Sequence, residues 1–329
     1  IRAHLPQGTK FLGVMKADAY GHGAVPVSRA LADLGAEYLA VSNLEEAVQI
    51  RRGEVRLPIL ILGYTPAEYA ANMIFLDITQ EVHSLEYARE LNEALAGTNY
   101  ILNVHLKLDT GMTRIGFFAY DNERTLDELR QVAQLPHLHI EGAFMHFCVA
   151  DSRAEADVSF TKLQYKRFMD MLSAMAGVGI RPEIRHCCNS GATILYPEFA
   201  LDMVRPGIIT YGNAPSDELE GALSLRPMMS LHSMIAQVRT VPAGTDISYG
   251  RLYRTKEETR VAVLPIGYAD GLSRLLTGKA SFYLQGHQVP VIGRICMDMC
   301  MIDVSGVPEV KPGDVVTIFG YDDDGTLLP

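Results

Sequence analysis

The amino-acid sequence predicts an α/β protein in which a (β/α)8 barrel is followed by a smaller domain built mainly of β-strands. Up to about residue 215, short apolar runs rich in β-branched residues alternate with amphipathic segments of helical period. After about Leu225, helical periodicity almost vanishes, and short strand-like runs are separated by Gly, Pro and Asp. We therefore place the first domain at residues 1–224 and the second at residues 225–329.

In the first domain, strand-like and helix-like runs alternate. The predicted strands are Phe11–Lys16, Tyr38–Ser42, Pro58–Tyr64, Phe75–Gln80, Tyr100–Leu108, Leu138–His146, Pro182–Cys188 and Met203–Tyr211. The predicted helices between them include Ala24–Leu34, Leu44–Arg52, Ser84–Leu95 and Asn122–Leu135. Such alternation implies a parallel sheet with right-handed crossovers. Because there are eight units, a closed barrel of the TIM type is favoured over an open, doubly wound sheet.

The second domain is predicted from short β-rich runs. They are Met234–Val241, Arg260–Leu264, Ala280–Leu284, Val289–Ile292, Cys300–Val304 and Val315–Phe319. Runs of this length, bounded by turn residues, are typical of strands in a separate β-domain.

Bulk composition excludes several classes of function. With a net charge of −10 and a pI near 5.5, the chain lacks the surplus of Lys and Arg that a nucleic-acid surface needs. No apolar run approaches the roughly 18 residues that span a bilayer, and no signal peptide opens the chain. We therefore expect a cytoplasmic protein without a membrane partner. Because the chain begins at Ile1, we also expect a few residues to be missing before it.

The five cysteines indicate reduced thiols rather than a disulfide framework, since their number is odd and they are spread over a long chain. The triplet His186-Cys187-Cys188 resembles a metal site only superficially. Side chains of adjacent strand residues point to opposite faces, so we expect no metal there.

In a barrel of this type, reactive groups lie at the carboxyl ends of the strands. The first such end is Val14–Gly23, in which Lys16 closes an apolar strand. We expect this lysine to be partly withdrawn from water, which suits its amine to Schiff-base chemistry with a carbonyl compound. The alternative is a strand-end lysine that only packs its stem and extends its amine into water.

Further strand ends carry polar groups. In Lys107–Arg114, the Asp-Thr-Gly triplet does not predict an aspartic protease, because that chemistry needs a second such motif and an all-β setting. Arg114 is instead a candidate for binding a carboxylate. After the last two strands, where barrels often bind phosphate, Ser190 offers a hydroxyl, and Gly207 and Ile208 offer backbone N–H groups.

Together these residues resemble the alanine racemase family, whose members are fold-type III enzymes dependent on pyridoxal 5'-phosphate (PLP). The motifs that carry the resemblance follow in the family's order and span nearly the whole chain. They are Val14–Gly23, Lys107–Gly116, His186–Ser190, Met203–Gly212, Ser248–Gly250, Gly267–Gly271 and Gly293–Asp298.

The resemblance implies that PLP is bound covalently through Lys16. The other residues that it places around the cofactor are Tyr20, His146, Ser190, Arg205, Gly207 and Ile208. Of these, Arg205 faces the pyridine nitrogen. Since arginine stays protonated, it donates to that nitrogen and weakens the ring as an electron sink, which limits side reactions.

The resemblance also implies how the substrate is held. Arg114 and the backbone of Met297 would contact the substrate carboxylate. Lys107, which is carbamylated in some members of the family, would orient that arginine. Tyr268 and Asp298 correspond to residues near the tyrosine base and the substrate entrance.

Racemisation requires that a proton leave one face of Cα and that another arrive on the opposite face. The resemblance assigns Lys16 as the base for the D-enantiomer and Tyr249, supplied by the second subunit of a homodimer, as the base for the L-enantiomer. A phenol needs nearby cations to act as a base. The implied reaction is the interconversion of L- and D-alanine, which supplies D-alanine for peptidoglycan.

Other functions stay open at this point. The family normally continues past Pro329 with a further tyrosine, so we expect the second domain to be truncated at its end. Serine-preferring relatives differ at that tyrosine, which leaves a serine racemase of the glycopeptide-resistance type as an alternative. A non-catalytic PLP carrier protein would share the barrel and Lys16 but not the domain with Tyr249. A sugar-phosphate isomerase barrel would use a glutamate instead.

Overall fold

The computed structural model describes residues 1–120, 122–322 and 325–328. The described chain divides into two compact units, Ile1–Arg226 and Pro227–Pro329. Pro329 itself, at which the predicted second domain ends, lies outside the described residues. Over the described ranges, no helix is both long enough and apolar enough to cross a membrane.

The first unit is a barrel of eight parallel strands, counted over the residues that the structure describes, with a further two-residue strand, Phe117–Phe118, paired to the fifth. Labelled β1 to β8, these strands are Lys10–Val14, Tyr38–Val41, Ile59–Ile61, Ile78–Val82, Leu102–Asp109, Leu138–Phe144, Ile184–His186 and Met203–Val204. Each strand pairs with the next as far as β7, and β8 pairs with β1. Backbone hydrogen bonds from Asp202 to Arg185 and from Arg205 to Cys188 join β7 to β8. The predicted (β/α)8 barrel is confirmed.

Helices cover the outside of the barrel. They are Ala24–Asp33, Leu44–Arg52, Ala70–Phe75, Leu85–Ala94, Asn122–Val132, Glu155–Gly177 and Ser190–Leu195, with 3-10 helices at Arg2–His4, Ala67–Tyr69, Pro197–Phe199, Ile208–Tyr211 and Asp217–Leu219. Side chains cap three of these helices at their amino ends: Asn43 accepts from the N–H of Glu46, Ser84 from the N–H of Tyr87, and Asn189 from the N–H of Ala192.

Alternate residues of the strands face the barrel interior and the helices. Apolar residues from β1, β2, β3, β7 and β8 form one interior cluster. They are Leu12, Val14, Tyr38, Ala40, Leu60, Ile184 and Met203. The residues that alternate with them, such as Phe11, Leu39 and Ile59, belong to a larger cluster that includes the helices. On the side of β4 and β5 the buried residues Thr79, Glu81, His105 and Lys107 are polar.

Some predicted strands have different bounds in the structure. Phe75 ends a helix, and β4 begins only at Ile78, because Asp77 between them adopts a φ of 52° that no strand residue has. The predicted strand Met203–Tyr211 is paired only over its first two residues, since its last four form a 3-10 helix. The predicted strand Met234–Val241 is divided into two strands.

The second unit is mainly β, as predicted. One of its sheets orders Leu231–Met234, Val315–Tyr321, Ser281–Leu284 and His287–Pro290, with Leu327–Leu328 paired to Val315–Tyr321. Another orders Gln237–Val241, Thr259–Leu264 and Cys300–Asp303, and Asp246–Ile247 pairs with Tyr253–Arg254. These strands pair antiparallel, and 3-10 helices lie at Tyr249–Arg251, Tyr268–Asp270 and Arg274–Leu276. Leu264, Phe282 and Ile302 are among the residues of its core.

Removal of an interior side chain should destabilise the barrel far more than removal of an exposed one. Leu60 is 0% exposed inside the barrel, whereas Leu34 is 76% exposed. We expect Leu60→Ala to lower the free energy of unfolding by about 2–5 kcal/mol, because it leaves a cavity. The matched change Leu34→Ala should stay within about 0.5 kcal/mol of the unsubstituted protein. Urea denaturation measures both, and equal losses would contradict this account of the core.

Candidate active site

The chain turns left-handed directly after Lys16, at the carboxyl end of β1. Residues 17–20 have φ values between 52° and 55°. For residues with a Cβ, this conformation costs about 1–2 kcal/mol each. A carboxylate of the second helix holds the turn, because Glu46 accepts the N–H of Ala17 and the N–H of Ser42, each at 2.7 Å. The turn sets where Lys16 and Tyr20 lie at the barrel mouth.

Lys16 is exposed, so the expectation of a partly buried lysine was wrong. Its Nζ lies 6.0 Å from the centre of the Tyr20 ring. Burial raises the pKa of Tyr20, which keeps its hydroxyl protonated. The Tyr20 ring lies 4.9 Å from the ring of Tyr211, and the Tyr211 hydroxyl donates to the carbonyl of Val14 at 2.6 Å. Tyr211 therefore packs against Tyr20 and is hydrogen-bonded to Val14, at the end of β1.

Three loops meet beside Tyr20. The Gly207 N–H, after β8, donates to the Oγ of Ser190, after β7, at 2.9 Å. A Cβ on Gly207 would lie only 2.6 Å from the hydroxyl oxygen of Tyr20, so only glycine allows this approach. Ile208 begins the 3-10 helix that follows. The hydroxyls of Tyr20 and Ser190, beside a closely approaching backbone, form a polar cradle of a kind that suits a phosphate group.

Arg205 is 3% exposed and is surrounded by acceptors. Its guanidinium donates to His186 Nδ1 at 2.9 Å, to the Met145 carbonyl at 2.7 Å and to the Cys187 carbonyl at 3.3 Å. It also lies 3.2 Å from His146 Nδ1. Burial lowers the pKa of Arg205 to about 10, so the guanidinium still carries its charge at neutral pH.

Positive charges converge on His146. Burial, followed by the charges of Arg205, Lys107, Arg114 and Lys16, holds the pKa of His146 well below its usual value. The imidazole is therefore neutral. Lys16, Arg114 and Arg205 follow the carboxyl ends of β1, β5 and β8, and Lys107 lies near that end of β5, so these groups share one end of the barrel. A local positive field of this kind attracts anions even to a protein of negative net charge.

Lys107 is 3% exposed in the barrel wall. Burial, reinforced by Arg205 and Arg114, lowers its pKa to about 7. Its Nζ lies 5.2 Å from the centre of the Phe144 ring. A large fraction of this amine is consequently neutral and nucleophilic near pH 7.

Asp109 organises the loop that carries Arg114. Its Oδ1 accepts the N–H groups of Gly111 and Thr113, each at 3.0 Å. The side chain is 3% exposed and is engaged in this turn. This local role agrees with our rejection of an aspartic-protease function for the Asp-Thr-Gly triplet.

In the second unit, Tyr249 lies in a tight turn and is 68% exposed. Ser248, which has a φ of 64°, donates from its Oγ to the carbonyl of Arg294 at 2.6 Å. The guanidinium of Arg294 lies beside Gly250. Arg294 thus brings a cation to the turn that presents Tyr249.

The other predicted residues of the second unit lie on adjoining loops. The N–H of Tyr268 donates to the carbonyl of Cys296, and the N–H of Ala269 donates to the carbonyl of Met297, each at 3.0 Å. Tyr268, Met297 and Asp298 are exposed. The structure therefore holds Tyr268 next to the backbone of Met297.

Sequence reasoning missed several supporting residues. Gln164, which is fully buried on helix Glu155–Gly177, donates to the Thr110 hydroxyl at 3.3 Å and to the His146 carbonyl at 3.2 Å. Glu46 and Arg294 were also missed. A polar residue on the apolar face of a helix was the available signal for Gln164. No sequence pattern pairs Glu46 with the turn after Lys16.

Two family models match the chain. The model described as the N-terminal domain of alanine racemase matches residues 1–215, and the model described as the C-terminal domain matches residues 228–327. The alanine racemase of Desulfovibrio desulfuricans is 46% identical over 98% of this chain and 85% of its own length.

Solved structures are similar as well. The alanine racemase of Clostridium difficile 630 has a TM-score of 0.90 and 39% identity, over 98% of this chain and 83% of that chain. The alanine racemase of Bacillus anthracis with bound L-Ala-P has a TM-score of 0.89 and 34% identity, over 99% of this chain and 83% of that chain. Since the two family models match residues 1–215 and 228–327, and relatives that are 46% and 39% identical each cover 98% of this chain, this chain belongs to the alanine racemase family.

Proposed function

We propose that this chain interconverts L- and D-alanine, with PLP bound at the mouth of its barrel. The observation that carries the proposal is the convergence of cations beside a cradle of hydroxyl groups. The cations are Lys16, Arg114 and Arg205, with the partly protonated Lys107, and the cradle residues are Tyr20, Ser190 and Gly207. Such a site suits two anionic groups, the phosphate of a cofactor and the carboxylate of an amino acid.

The residues at the barrel mouth fit PLP. Lys16 would hold the cofactor covalently, and Tyr20, Ser190, Gly207 and Ile208 would hold its phosphate. Arg205, which stays protonated, would donate to the pyridine nitrogen, and its contact with His146 supports that orientation. When bound, PLP withdraws electrons from Cα of the amino acid and so acidifies its hydrogen.

Arg114 and the backbone of Met297 would bind the substrate carboxylate. Arg114 is exposed, and its positive charge helps to lower the pKa of Lys107. A neutral Lys107 can become carbamylated and then accept a hydrogen bond from this arginine, which would hold it in place. Tyr268 and Asp298, on the loops around Met297, would line the substrate entrance.

Lys16 and Tyr249 would act as the two bases. Lys16 removes or returns the proton on one face of Cα, and Tyr249 does so on the other face. The Arg294 guanidinium lies beside Gly250 in the turn that presents Tyr249, so a cation adjoins this base. We propose that Tyr249 comes from a second copy of this chain, so that the active enzyme is a homodimer.

The product D-alanine would supply peptidoglycan synthesis in the cytoplasm. Alanine is favoured as substrate by the relatives, which are named alanine racemases. The C-terminal family match at residues 228–327 favours an enzyme over a carrier protein with a barrel alone. The serine alternative is tested by measuring racemisation of L-serine and of L-alanine in parallel. Faster turnover of L-serine would favour a serine racemase.

Reduction of the PLP-loaded protein with borohydride should fix the cofactor on the peptide that contains Lys16. Lys16→Ala should remain unlabelled and should lose racemisation by at least about a thousandfold, because a proton-transfer group is removed. Lys10, at the opposite end of the same strand, provides the matched control, and Lys10→Ala should keep label and activity. Peptide mass spectrometry locates the cofactor label, and chiral chromatography measures racemisation. Specific labelling of the Lys16→Ala protein would overturn the assignment.

The pH dependence of the melting temperature (Tm) should reveal the depressed pKa of Lys107. Because that pKa is about 7 in the folded protein and 10.5 in the unfolded chain, the unfolded chain binds more protons between these values. The contribution of Lys107 to the stability of the folded protein therefore rises as the pH increases from about 7 to 10.5. Lys107→Met removes the buried charge, so its gain in Tm over the unsubstituted protein should be larger at about pH 6 than at about pH 9.

Lys162, which is exposed, provides the control for this measurement. Lys162→Met should shift the Tm by a similar small amount at both pH values. A Lys107→Met gain that is equal at both pH values, or larger at the higher one, would show that Lys107 is not held in a depressed state.

A further inference from the structure

A chain of buried polar side chains runs inside the barrel, away from the mouth. Arg205 is its only member with a role in the proposed function. His186 and His105 are 0% exposed, and Glu141 is partly exposed. Buried polar groups persist in a barrel core only where each finds a partner, so the partners of these groups show what the chain does.

The groups form one continuous series of hydrogen bonds. Arg205 lies 2.9 Å from His186 Nδ1, and His186 Nε2 lies 2.8 Å from His105 Nδ1. His105 Nε2 lies 3.0 Å from Glu141 Oε2. The other oxygen of Glu141 accepts the hydroxyl of Tyr38 at 2.9 Å. The series thus links a carboxylate in the barrel core to the guanidinium at the barrel mouth.

The series has only one possible direction. A guanidinium has donors and no acceptor, so His186 Nδ1 must accept from Arg205. The proton of His186 is then on Nε2 and is donated to His105 Nδ1. The proton of His105 must in turn be on Nε2, and Glu141 accepts it. Arg205 at one end and Glu141 at the other therefore determine the tautomers of both imidazoles.

The electrostatics agree with this direction. Burial lowers the pKa of His105, although Glu141 opposes the shift, and burial and Arg205 hold the pKa of His186 well below its usual value. Burial alone would raise the pKa of Glu141, but hydrogen bonds from His105 and Tyr38 outweigh it and lower the pKa. The series consists of an ionised carboxylate, two neutral imidazoles and a guanidinium.

Backbone geometry holds both rings in place. The pairing of β5 with β6 shifts register between Val104 and His105, so Glu141 is left without a partner in the pairing and Gly142 lies opposite His105. The next residue, Gly142, lies against His105, and a Cβ there would approach the ring atoms at 2.5–2.6 Å. The Phe144 ring stacks on the ring of His186, with centroids 5.0 Å apart and an angle of 8°.

We propose that Glu141 and His105 are positioning residues, which fix the tautomer of His186 and thereby hold the Arg205 guanidinium in a single orientation toward the cofactor. Neither residue touches the reacting atoms. The catalytic consequence rests on the proposed function, whereas the tautomers are a property of the protein itself. If the series were only packing, loss of the Glu141 acceptor would reduce stability and leave the tautomers and kcat unchanged.

Substitutions at residue 141 separate these possibilities. Glu141→Leu removes the terminal acceptor, and Glu141→Gln keeps an acceptor oxygen without the charge. Glu183 is the matched control, because it is an exposed carboxylate next to β7 whose side chain lies outside the series. Each full-length protein is loaded with PLP and examined by nitrogen-15 NMR of its labelled histidines. The signals of His105 and His186 are assigned among the ten histidines by single His→Asn changes.

We expect both imidazoles to carry their proton on Nε2 in the unsubstituted protein, in Glu141→Gln and in Glu183→Gln. In Glu141→Leu the two tautomers should mix. The kcat of this variant should fall by about 10–100-fold in both directions, and the KM for alanine should stay unchanged. The magnitude is taken from metal sites, where loss of a residue that hydrogen-bonds to a metal ligand has an effect of this size. Glu141→Gln should recover most of this loss.

A proton on Nδ1 of either imidazole in the unsubstituted protein would overturn the proposal, even if Glu141→Leu fails to fold. Unchanged tautomers or unchanged kcat in a folded Glu141→Leu would also overturn it, as would an equal loss in Glu183→Gln. Absence of racemisation by the unsubstituted protein would instead overturn the proposed function. The NMR result would still stand in that case, so the two failures are distinguishable.

Discussion

The guanidinium of Arg205 is buried at the carboxyl end of β8, and a buried charge is stable only where acceptors surround it. Those acceptors are the Met145 carbonyl, just after β6, His186 Nδ1, at the end of β7, and the Cys187 carbonyl, just after β7. One guanidinium reaches all of them only if the strands end at the same level. The register of the barrel, in which Phe144 is paired with both Lys107 and His186, therefore determines the geometry of the site.

Mutual repulsion among the cations is the second consequence of this arrangement. Arg205 and Arg114 help to lower the pKa of Lys107, and together with Lys107 they keep His146 neutral. Such a cluster is unfavourable by itself and becomes favourable beside anionic groups. In the proposed function, the phosphate of the cofactor and the carboxylate of the substrate would supply these anionic groups.

The sequence predicted the barrel and the loops that carry chemistry, because strand and helix periods are local and because reactive residues follow strand ends. It did not predict the contacts made by residues far apart in the chain. Glu46 holds the turn after Lys16 from the second helix, and His186 contacts His105 across the barrel. A one-residue bulge places Gly142 instead of Glu141 opposite His105, and no periodic pattern reveals such a bulge. The exposure of Lys16 was wrongly predicted because the left-handed turn was not foreseen.

The central claim is that two bases act on opposite faces of Cα, and hydrogen exchange tests it most directly. Each enantiomer of alanine is incubated in deuterated water with the PLP-loaded Tyr249→Phe protein, and deuterium at Cα is measured by mass spectrometry. With Lys16 intact, D-alanine should still exchange its Cα hydrogen with retention of configuration, whereas exchange from L-alanine should fall by about 100-fold or more. Equal residual exchange from both enantiomers would contradict the two-base account.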